Sequence, residues 1–126
     1  MRLQYAGIGS RSTPHDVLAH MTRLGREYAL AGYTLRSGGA GGADTAFESG
    51  CDSAKGLKEI YVPWAGFNGR YSSQPGIHVG VSEEAIELAA KFHPNWRSCT
   101  NGAKKLHARN CYQILGRDLK TPVERV

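Results

Sequence analysis

Two stretches of small residues carry the groups best suited to binding an anion. The first, residues 7–11, ends in Gly9, Ser10 and Arg11. The second, residues 37–44, follows an apolar run and precedes a stretch that can open a helix; it comprises Ser37, Gly38, Gly39, Ala40, Gly41, Gly42, Ala43 and Asp44. Glycine lets another group approach the backbone closely, and a glycine turn before a helix directs N–H groups at an anion. The pattern favours phosphate binding over a flexible surface loop. Its spacing matches neither G-x-G-x-x-G nor a Walker lysine motif.

Charged residues lie in or beside both stretches. Arg11 can donate paired hydrogen bonds from its guanidinium group to a phosphate. The alternative interpretation is that Arg11 is a solvated surface arginine. Arg36, directly before the second stretch, is expected to contribute charge. Asp44 lies at the N-terminus of the following helix, where it either binds a ribose hydroxyl or only complements the helix dipole. Glu48, one turn further on, is more typical of an exposed helical acid.

The last predicted helix carries three further polar candidates: His107, Arg109 and Asn110. Helical periodicity places Asn110 near the packed side, so we expect it to bond a loop backbone or a ligand. Nucleophilic catalysis lacks support, because the chain has neither a Gly-x-Ser-x-Gly elbow nor a convincing Cys–His constellation. We assign no metal ligand, because metal-ligand spacing to cysteines or acids is lacking for His20, His78 and His93.

The composition is typical of one globular domain, with 126 residues, 40% hydrophobic and 21% charged. The net charge of +5 and a pI near 9.3 suit an anionic partner. Nucleic acid is the less favoured anionic partner, because the positive residues are dispersed and the nearest thing to a run of basic residues is Lys104-Lys105. Neither a secretory signal nor a bilayer-spanning run is recognisable. We therefore expect a cytoplasmic protein without a membrane partner.

The cysteines, Cys51, Cys99 and Cys111, are odd in number and lack C-x-x-C spacing. They indicate reduced thiols rather than a disulfide framework or a zinc site.

Alternating strands and helices must position these residues. The sequence predicts strands over residues 3–8, 33–37 and 58–62. Thr13 as N-cap with Pro14 at the first helical position begins a helix that Gly32 ends, and a short helix spans 43 to about 50. This order predicts an α/β fold with parallel strands and right-handed crossovers. Both glycine stretches then lie at the carboxyl edge of the sheet, where ligands bind.

The second half begins with a predicted loop over residues 64–81. Its aromatic residues, Trp64, Phe67 and Tyr71, either form a lid that stacks on a base or fasten the loop to the domain. Ser82 caps the next helix, whose expected buried residues are Ala85, Ile86, Leu88, Ala89 and Phe92. Thr100 caps a last helix to about Leu115, packed through Ala103, Leu106, Cys111, Ile114 and Leu115. Residues 123–126 look like the start of another strand.

These motifs together resemble the SLOG superfamily, which includes the DNA-processing protein DprA and the LOG phosphoribohydrolases that activate cytokinins. Residues 5–14 and 35–44 carry the resemblance. The chain is most similar to DprA-related proteins encoded by bacteriophages, in which residues 60–64, 93–96 and 105–110 also recur. The resemblance covers nearly the whole chain and implies a single nucleotide-binding domain over residues 1–126. That domain is a Rossmann-like three-layer fold with a mainly parallel sheet, and the similarity leaves open that a partner chain, as in a homo-oligomer, completes the sheet along its edge.

The resemblance also implies a function. LOG enzymes carry a later P-G-G-x-G-T-x-x-E motif with their catalytic glutamate, and nothing in this sequence matches it. We therefore expect binding without turnover of a nucleotide or nucleotide-derived molecule, such as an ADP-ribose or cyclic nucleotide signal, and no cofactor. In a bacteriophage such a domain would sequester a host immune signal. Two alternatives stay open: a nucleoside-monophosphate N-glycosidase using Asp44 or Glu48, and DprA-like binding of single-stranded DNA through Lys104, Lys105 and Arg109.

The predicted ligand-binding residues are Gly9, Ser10, Arg11, Arg36, Ser37, Gly38, Gly39, Ala40, Gly42, Ala43, Asp44 and Asn110.

Overall fold

Strands and helices alternate along residues 3–126, which this computed structural model describes. In chain order the elements are β1 (Leu3–Ala6), α1 (His15–Leu30), β2 (Tyr33–Ser37), α2 (Ala43–Ser53), β3 (Lys58–Val62), β4 (Ile77–Val79), α3 (Glu83–Phe92) and α4 (Asn101–Leu115). Short 3-10 turns lie at Phe67–Gly69 and Trp96–Ser98. None of the helices between residues 3 and 126 combines the length and apolar character needed to cross a bilayer.

The strands form one parallel sheet in the order β1-β2-β3-β4. This arrangement confirms the predicted α/β fold with parallel strands and is compatible with a Rossmann-like fold. Residues 123–126, predicted to start a strand, form instead an isolated parallel bridge that pairs Arg125 with Tyr5 on the outer edge of β1. Ala6 donates its amide hydrogen to the carbonyl of Arg125 over 2.8 Å. β1 therefore has β2 on one side and the bridge to Arg125 on the other.

Two hydrophobic clusters cover the two faces of the sheet. Side chains alternate along a strand, so Ile60 and Val62 of β3 point to one face and Tyr61 to the other. The first face packs on α1 and α2, and its buried cluster comprises Tyr5, Leu35, Cys51, Ile60, Val62 and Ile77. The second packs on α3 and α4 through Tyr61, Ala85, Ala89, Ala108 and Tyr112. The result is the predicted stack of three layers.

The predicted loop over residues 64–81 is wrong in one respect, because it contains the edge strand β4. This strand has only three residues and glycines on both sides, too short a run to show an alternating pattern. Phe67 packs against the first cluster, and the ring of Trp64 meets the ring of Phe67 edge-on at 5.6 Å. The packing of Phe67 favours the interpretation that this residue fastens the loop to the domain, whereas Tyr71 is 53% exposed.

Several helix details differ from the prediction. Helix α1 begins at His15 with Pro14 as N-cap and no side-chain cap, because the hydroxyl of Thr13 donates instead to the carbonyl of Ser10 over 2.7 Å. Helix α2 continues to Ser53, past Gly50. Phe92 is 79% exposed rather than buried, since it is the last residue of α3 and lies outside the cluster that Ala85 and Ala89 form.

Candidate functional site

A cleft of about 520 Å³ opens where the loops after β1 and β2 meet α4. Because the carboxyl ends of parallel strands share one edge of the sheet, both predicted stretches contribute to it. Its lining residues are Ile8, Gly9, Ser10, Arg11, Ala40, Asp44, Phe67, Leu106, Arg109, Asn110, Gln113 and Ile114.

The loop after β1 is fastened to β2 and α2. The hydroxyl of Ser37 donates to the carbonyl of Gly7 over 2.6 Å. The carbonyl of Ser10 accepts from the amide of Ala43 over 3.1 Å, at the first residue of α2. The hydroxyl of Ser10 accepts from the amide of Ser12 over 3.0 Å, which closes the loop on itself. This loop holds Arg11, an exposed residue, at the side of the cleft.

The carboxylate of Asp44 joins the two loops from inside. Its Oδ1 accepts a hydrogen bond from the amide of Gly9 over 3.3 Å, and its Oδ2 accepts one from the amide of Ala40 over 3.4 Å. Asp44 is only 5% exposed. Burial raises its pKa above the usual value, and the amides of Ala40 and Gly9 and the charge of Arg109 offset part of that rise. The ribose-binding interpretation stays a prediction; the observed contacts organise the loops.

The glycines of residues 37–44 make room largely for the protein itself. Gly42 has φ +74°, and a Cβ there would lie 2.6 Å from the carbonyl oxygen of Ser10. A Cβ at Gly38 would collide with the side-chain amide of Gln113 and with the guanidinium of Arg109. At Gly41, in contrast, a Cβ would meet nothing within 4 Å. The close approach that the sequence indicates is therefore made at Gly38 and Gly42 by neighbouring protein atoms.

Arg109 is buried behind the cleft, with 6% of its surface exposed. Its Nη1 donates to the carbonyl of Gly38 and, over 3.0 Å, to that of Tyr61. Its guanidinium lies 5.3 Å from the ring centre of Phe67. Burial lowers its pKa, the charge of Asp44 raises it and that of Arg11 lowers it. Arginine nevertheless stays protonated in proteins, so the cleft combines two guanidinium groups with one carboxyl group.

Asn110 and Gln113 complete the α4 side. Asn110 is exposed, so its predicted position near the packed side is wrong; one helical step separates it from the buried Arg109. Its Oδ1 accepts from Nε of Arg109 over 3.0 Å. Gln113 is buried. In the orientation of its side-chain amide that satisfies its hydrogen bonding, the oxygen accepts from the amide of Gly38 over 3.3 Å.

Half of the predicted ligand-binding residues line the cleft, and the other half do not. Those at its surface are Gly9, Ser10, Arg11, Ala40, Asp44 and Asn110. Those that do not line it are Arg36, Ser37, Gly38, Gly39, Gly42 and Ala43. Arg36 is buried elsewhere, since its Nε pairs with Glu59 at 3.2 Å and its Nη1 donates to the carbonyl of Thr121 over 2.6 Å.

Glu48 is not the exposed helical acid that the sequence predicts. It is 8% exposed, and it pairs with Lys58 at 2.9 Å and with Arg70 at 2.5 Å. Burial by itself raises the pKa of Glu48, but the hydrogen bonds from Lys58 and Arg70 lower it below the usual value. Its carboxylate lines a different cavity of about 620 Å³, so Asp44 is the acid of α2 that faces the cleft.

Six residues that line the cleft are absent from the list of predicted ligand-binding residues: Ile8, Phe67, Leu106, Arg109, Gln113 and Ile114. A signal for the four on α4 is nevertheless present. Together with Asn110 they occupy positions i, i+3, i+4, i+7 and i+8 from Leu106, the stripe that one face of a helix presents. Because that stripe mixes apolar and polar side chains, the sequence does not show it as a hydrophobic face.

The basic residues of α4 do not form one surface. Arg109 is buried, while Lys105 is exposed. The ammonium of Lys104 lies 5.7 Å from the ring centre of Trp96. No observation therefore favours a continuous nucleic-acid interface on this helix.

Comparisons of the chain with models of protein families, with curated proteins and with solved structures found no match.

Proposed function

We propose that the cleft between the two glycine loops and α4 binds a nucleotide or a nucleotide-derived small molecule. The observation that supports this is the convergence of both loops, with Arg11 and Arg109, on one cavity at the carboxyl edge of a parallel sheet. Retention of such a ligand without turnover is the expected outcome. The biological consequence of such binding would be sequestration of a nucleotide signal.

The polar side of the cleft suits an anionic group. Arg11 is exposed and free to turn its donors toward a phosphate. Arg109 adds a fixed positive charge from behind, where the low dielectric strengthens its field. Asp44 contributes the opposing charge, which the hydrogen bonds from the amides of Gly9 and Ala40 partly offset. The loops therefore present an environment that favours an anion.

The opposite side suits a base. Ile8, Phe67, Leu106 and Ile114 supply apolar contacts, and the amide of Asn110 offers a donor and an acceptor. A volume of about 520 Å³ lies within the range of small-molecule sites, which combine apolar walls with a few polar groups. A ligand with a charged end and a flat, partly apolar end matches both sides at once.

Binding is tested by thermal shift and calorimetry with AMP, ADP-ribose and cyclic nucleotides. We expect at least one of them to raise the melting temperature. Arg11→Ala should weaken that ligand about tenfold, the effect of losing one charge-assisted hydrogen bond. Arg23→Ala removes an exposed arginine of α1 that does not line the cleft and should leave affinity unchanged. The absence of any shift with all these ligands would refute the proposal.

Asp44 supports a second candidate, cleavage of a nucleoside monophosphate at its base. A carboxyl group with a raised pKa at the edge of a ligand cleft suits a general acid. Chromatography after long incubation with AMP distinguishes the two functions, because hydrolysis releases free base and binding alone returns intact nucleotide. Asp44→Asn should abolish any release, and a release that persists in this variant would exclude Asp44 as the acid.

A further inference from the structure

Three side chains meet where the connector between α3 and α4 folds back on α4. His93 is the C-cap residue of α3, Cys99 follows the turn Trp96–Ser98, and His107 lies on α4. One ligand atom from each lies within 4.8 Å of the others. Sγ of Cys99 is 3.9 Å from Nε2 of His93, and the two imidazole ring centres are 4.4 Å apart. Linear spacing predicts no metal ligand among these residues, but the fold groups them.

We propose that His93, Cys99 and His107 form a binding site for Zn²⁺. One thiolate and two imidazoles are ligands that zinc prefers. Zinc bonds of about 2.0 to 2.3 Å in a tetrahedron require ligand atoms to be about 3.4 to 3.6 Å apart. The Cys99–His93 separation of 3.9 Å and the limit of 4.8 Å for the other pairs therefore have to shorten by at most about 1.4 Å. Each of the three residues is half-buried, so an ion can reach them from solvent.

His93 changes its hydrogen bonding when the ion binds. Its Nδ1 faces the amide of Asn95 at 3.1 Å, which places the proton of the neutral ring on Nε2. Coordination through Nε2 moves that proton to Nδ1, so the contact with the amide of Asn95 is given up. The thiol of Cys99 releases its own proton, because the thiolate is the zinc ligand. Affinity should therefore rise with pH.

The ion would fasten the connector to α4 and leave its fourth position to water, as three-ligand zinc sites do. Trp96 reports on this region, since its ring lies 6.1 Å from that of His93 and 6.5 Å from that of His107. The site is separate from the cleft, and its test does not depend on nucleotide binding.

Cobalt(II) is the direct probe, used with untagged full-length protein that has been treated with chelator and a thiol reductant. We expect one Co²⁺ per chain, a thiolate-to-cobalt charge-transfer band in the near ultraviolet and intense visible bands of tetrahedral coordination. Zn²⁺ should displace Co²⁺, raise the melting temperature and change the fluorescence of Trp96. Failure of the wild-type protein to develop the charge-transfer band would overturn the proposal.

Variants assign the ligands. Cys99→Ser should remove the charge-transfer band, and His93→Gln or His107→Gln should each weaken Zn²⁺ binding at least about 100-fold, the upper end of the loss seen for outer-shell partners. Cys111→Ser and His20→Gln change the same residue types outside the cluster and should bind as the wild type does. Circular dichroism of metal-free variants checks that they fold. A band that survives in Cys99→Ser would contradict this assignment.

Discussion

Asp44 and Gly9 are 35 residues apart in the chain and joined by a hydrogen bond, the amide of Gly9 donating to Oδ1 of Asp44 over 3.3 Å. The other carboxylate oxygen accepts from Ala40 over 3.4 Å. An acidic side chain thus occupies two backbone donors in loops that look, from sequence, like donors for a phosphate. The anion proposed for the cleft is therefore expected to rely on Arg11 and on other groups of the loops.

Asp44 should leave a characteristic pH dependence in the stability. Its pKa is raised in the folded protein, so the protonated side chain contributes to stability. This stabilisation is fully present below the pKa of Asp44 in the unfolded state and is lost as the pH rises through its pKa in the folded state. Urea unfolding of the wild type and of Asp44→Asn between about pH 3 and 7 measures this. We expect the difference in free energy of unfolding to shift in favour of the wild type as the pH falls. A shift in the opposite direction would contradict the raised pKa.

Glu48 should show the opposite dependence. Hydrogen bonds from Lys58 and Arg70 lower its pKa in the folded protein despite its burial. The stabilisation that the ionised side chain contributes is therefore present above the pKa of Glu48 in the unfolded state and is lost as the pH falls through its pKa in the folded state. Glu48→Gln should reduce the free energy of unfolding at neutral pH by about 1–3 kcal/mol, since it weakens the pairing of two half-buried cations. The deficit should shrink in acid. Glu87→Gln, at an exposed position of α3, is the control, and an equal loss there would remove the special role of Glu48.

Two adjacent glycines provide a matched pair. Gly42→Ala combines a positive φ with a clash against the carbonyl oxygen of Ser10, and we expect it to lower the free energy of unfolding by about 2–4 kcal/mol. Gly41→Ala enters open space and should change that free energy by about 0.5 kcal/mol or less. Chemical denaturation compares the two. Similar losses in both variants would show that the loop after β1 does not pack on Gly42 as described.

Arg109 should matter for stability independently of any ligand. Arg109→Met keeps an unbranched side chain but leaves the carbonyl oxygens of Gly38 and Tyr61 without their donor. We expect a loss of about 1.5–3 kcal/mol in the free energy of unfolding, the range for hydrogen bonds to charged groups. Lys105→Met, one turn earlier on the same helix and exposed, should be nearly neutral. Thermal and urea unfolding measure both, and a neutral Arg109→Met would disprove the role of this guanidinium in holding the loops.

Much of the fold is predictable because it depends on local patterns. The runs 33–37 and 58–62 coincide with β2 and β3, and Ser82 and Thr100 cap α3 and α4 through their side chains as predicted. β4 escapes prediction because three residues between glycines form a strand only by pairing with β3. Thr13 likewise fails as a cap because its hydroxyl finds a partner in the neighbouring loop.

Side-chain roles at the candidate site are less predictable. Arg36 and Arg11 are both arginines next to a glycine stretch, yet one is buried against Glu59 and the other is exposed beside the cleft. Neighbours in sequence do not distinguish them, because the partners of Arg36 lie 23 and 85 residues away. Completion of the sheet by a second chain and the relationship to the SLOG superfamily stay predictions.

The sequence by itself determined the alternation of strands and helices, the parallel sheet and the edge of that sheet where the two glycine stretches meet, because periodicity, caps and turn residues act over a few positions. Only the tertiary structure decided what the glycines accommodate, that Asp44 bridges the loops, that Glu48 faces another cavity and that His93, Cys99 and His107 converge. Those outcomes depend on packing between elements distant in sequence, where burial and hydrogen-bond partners are set by the whole fold.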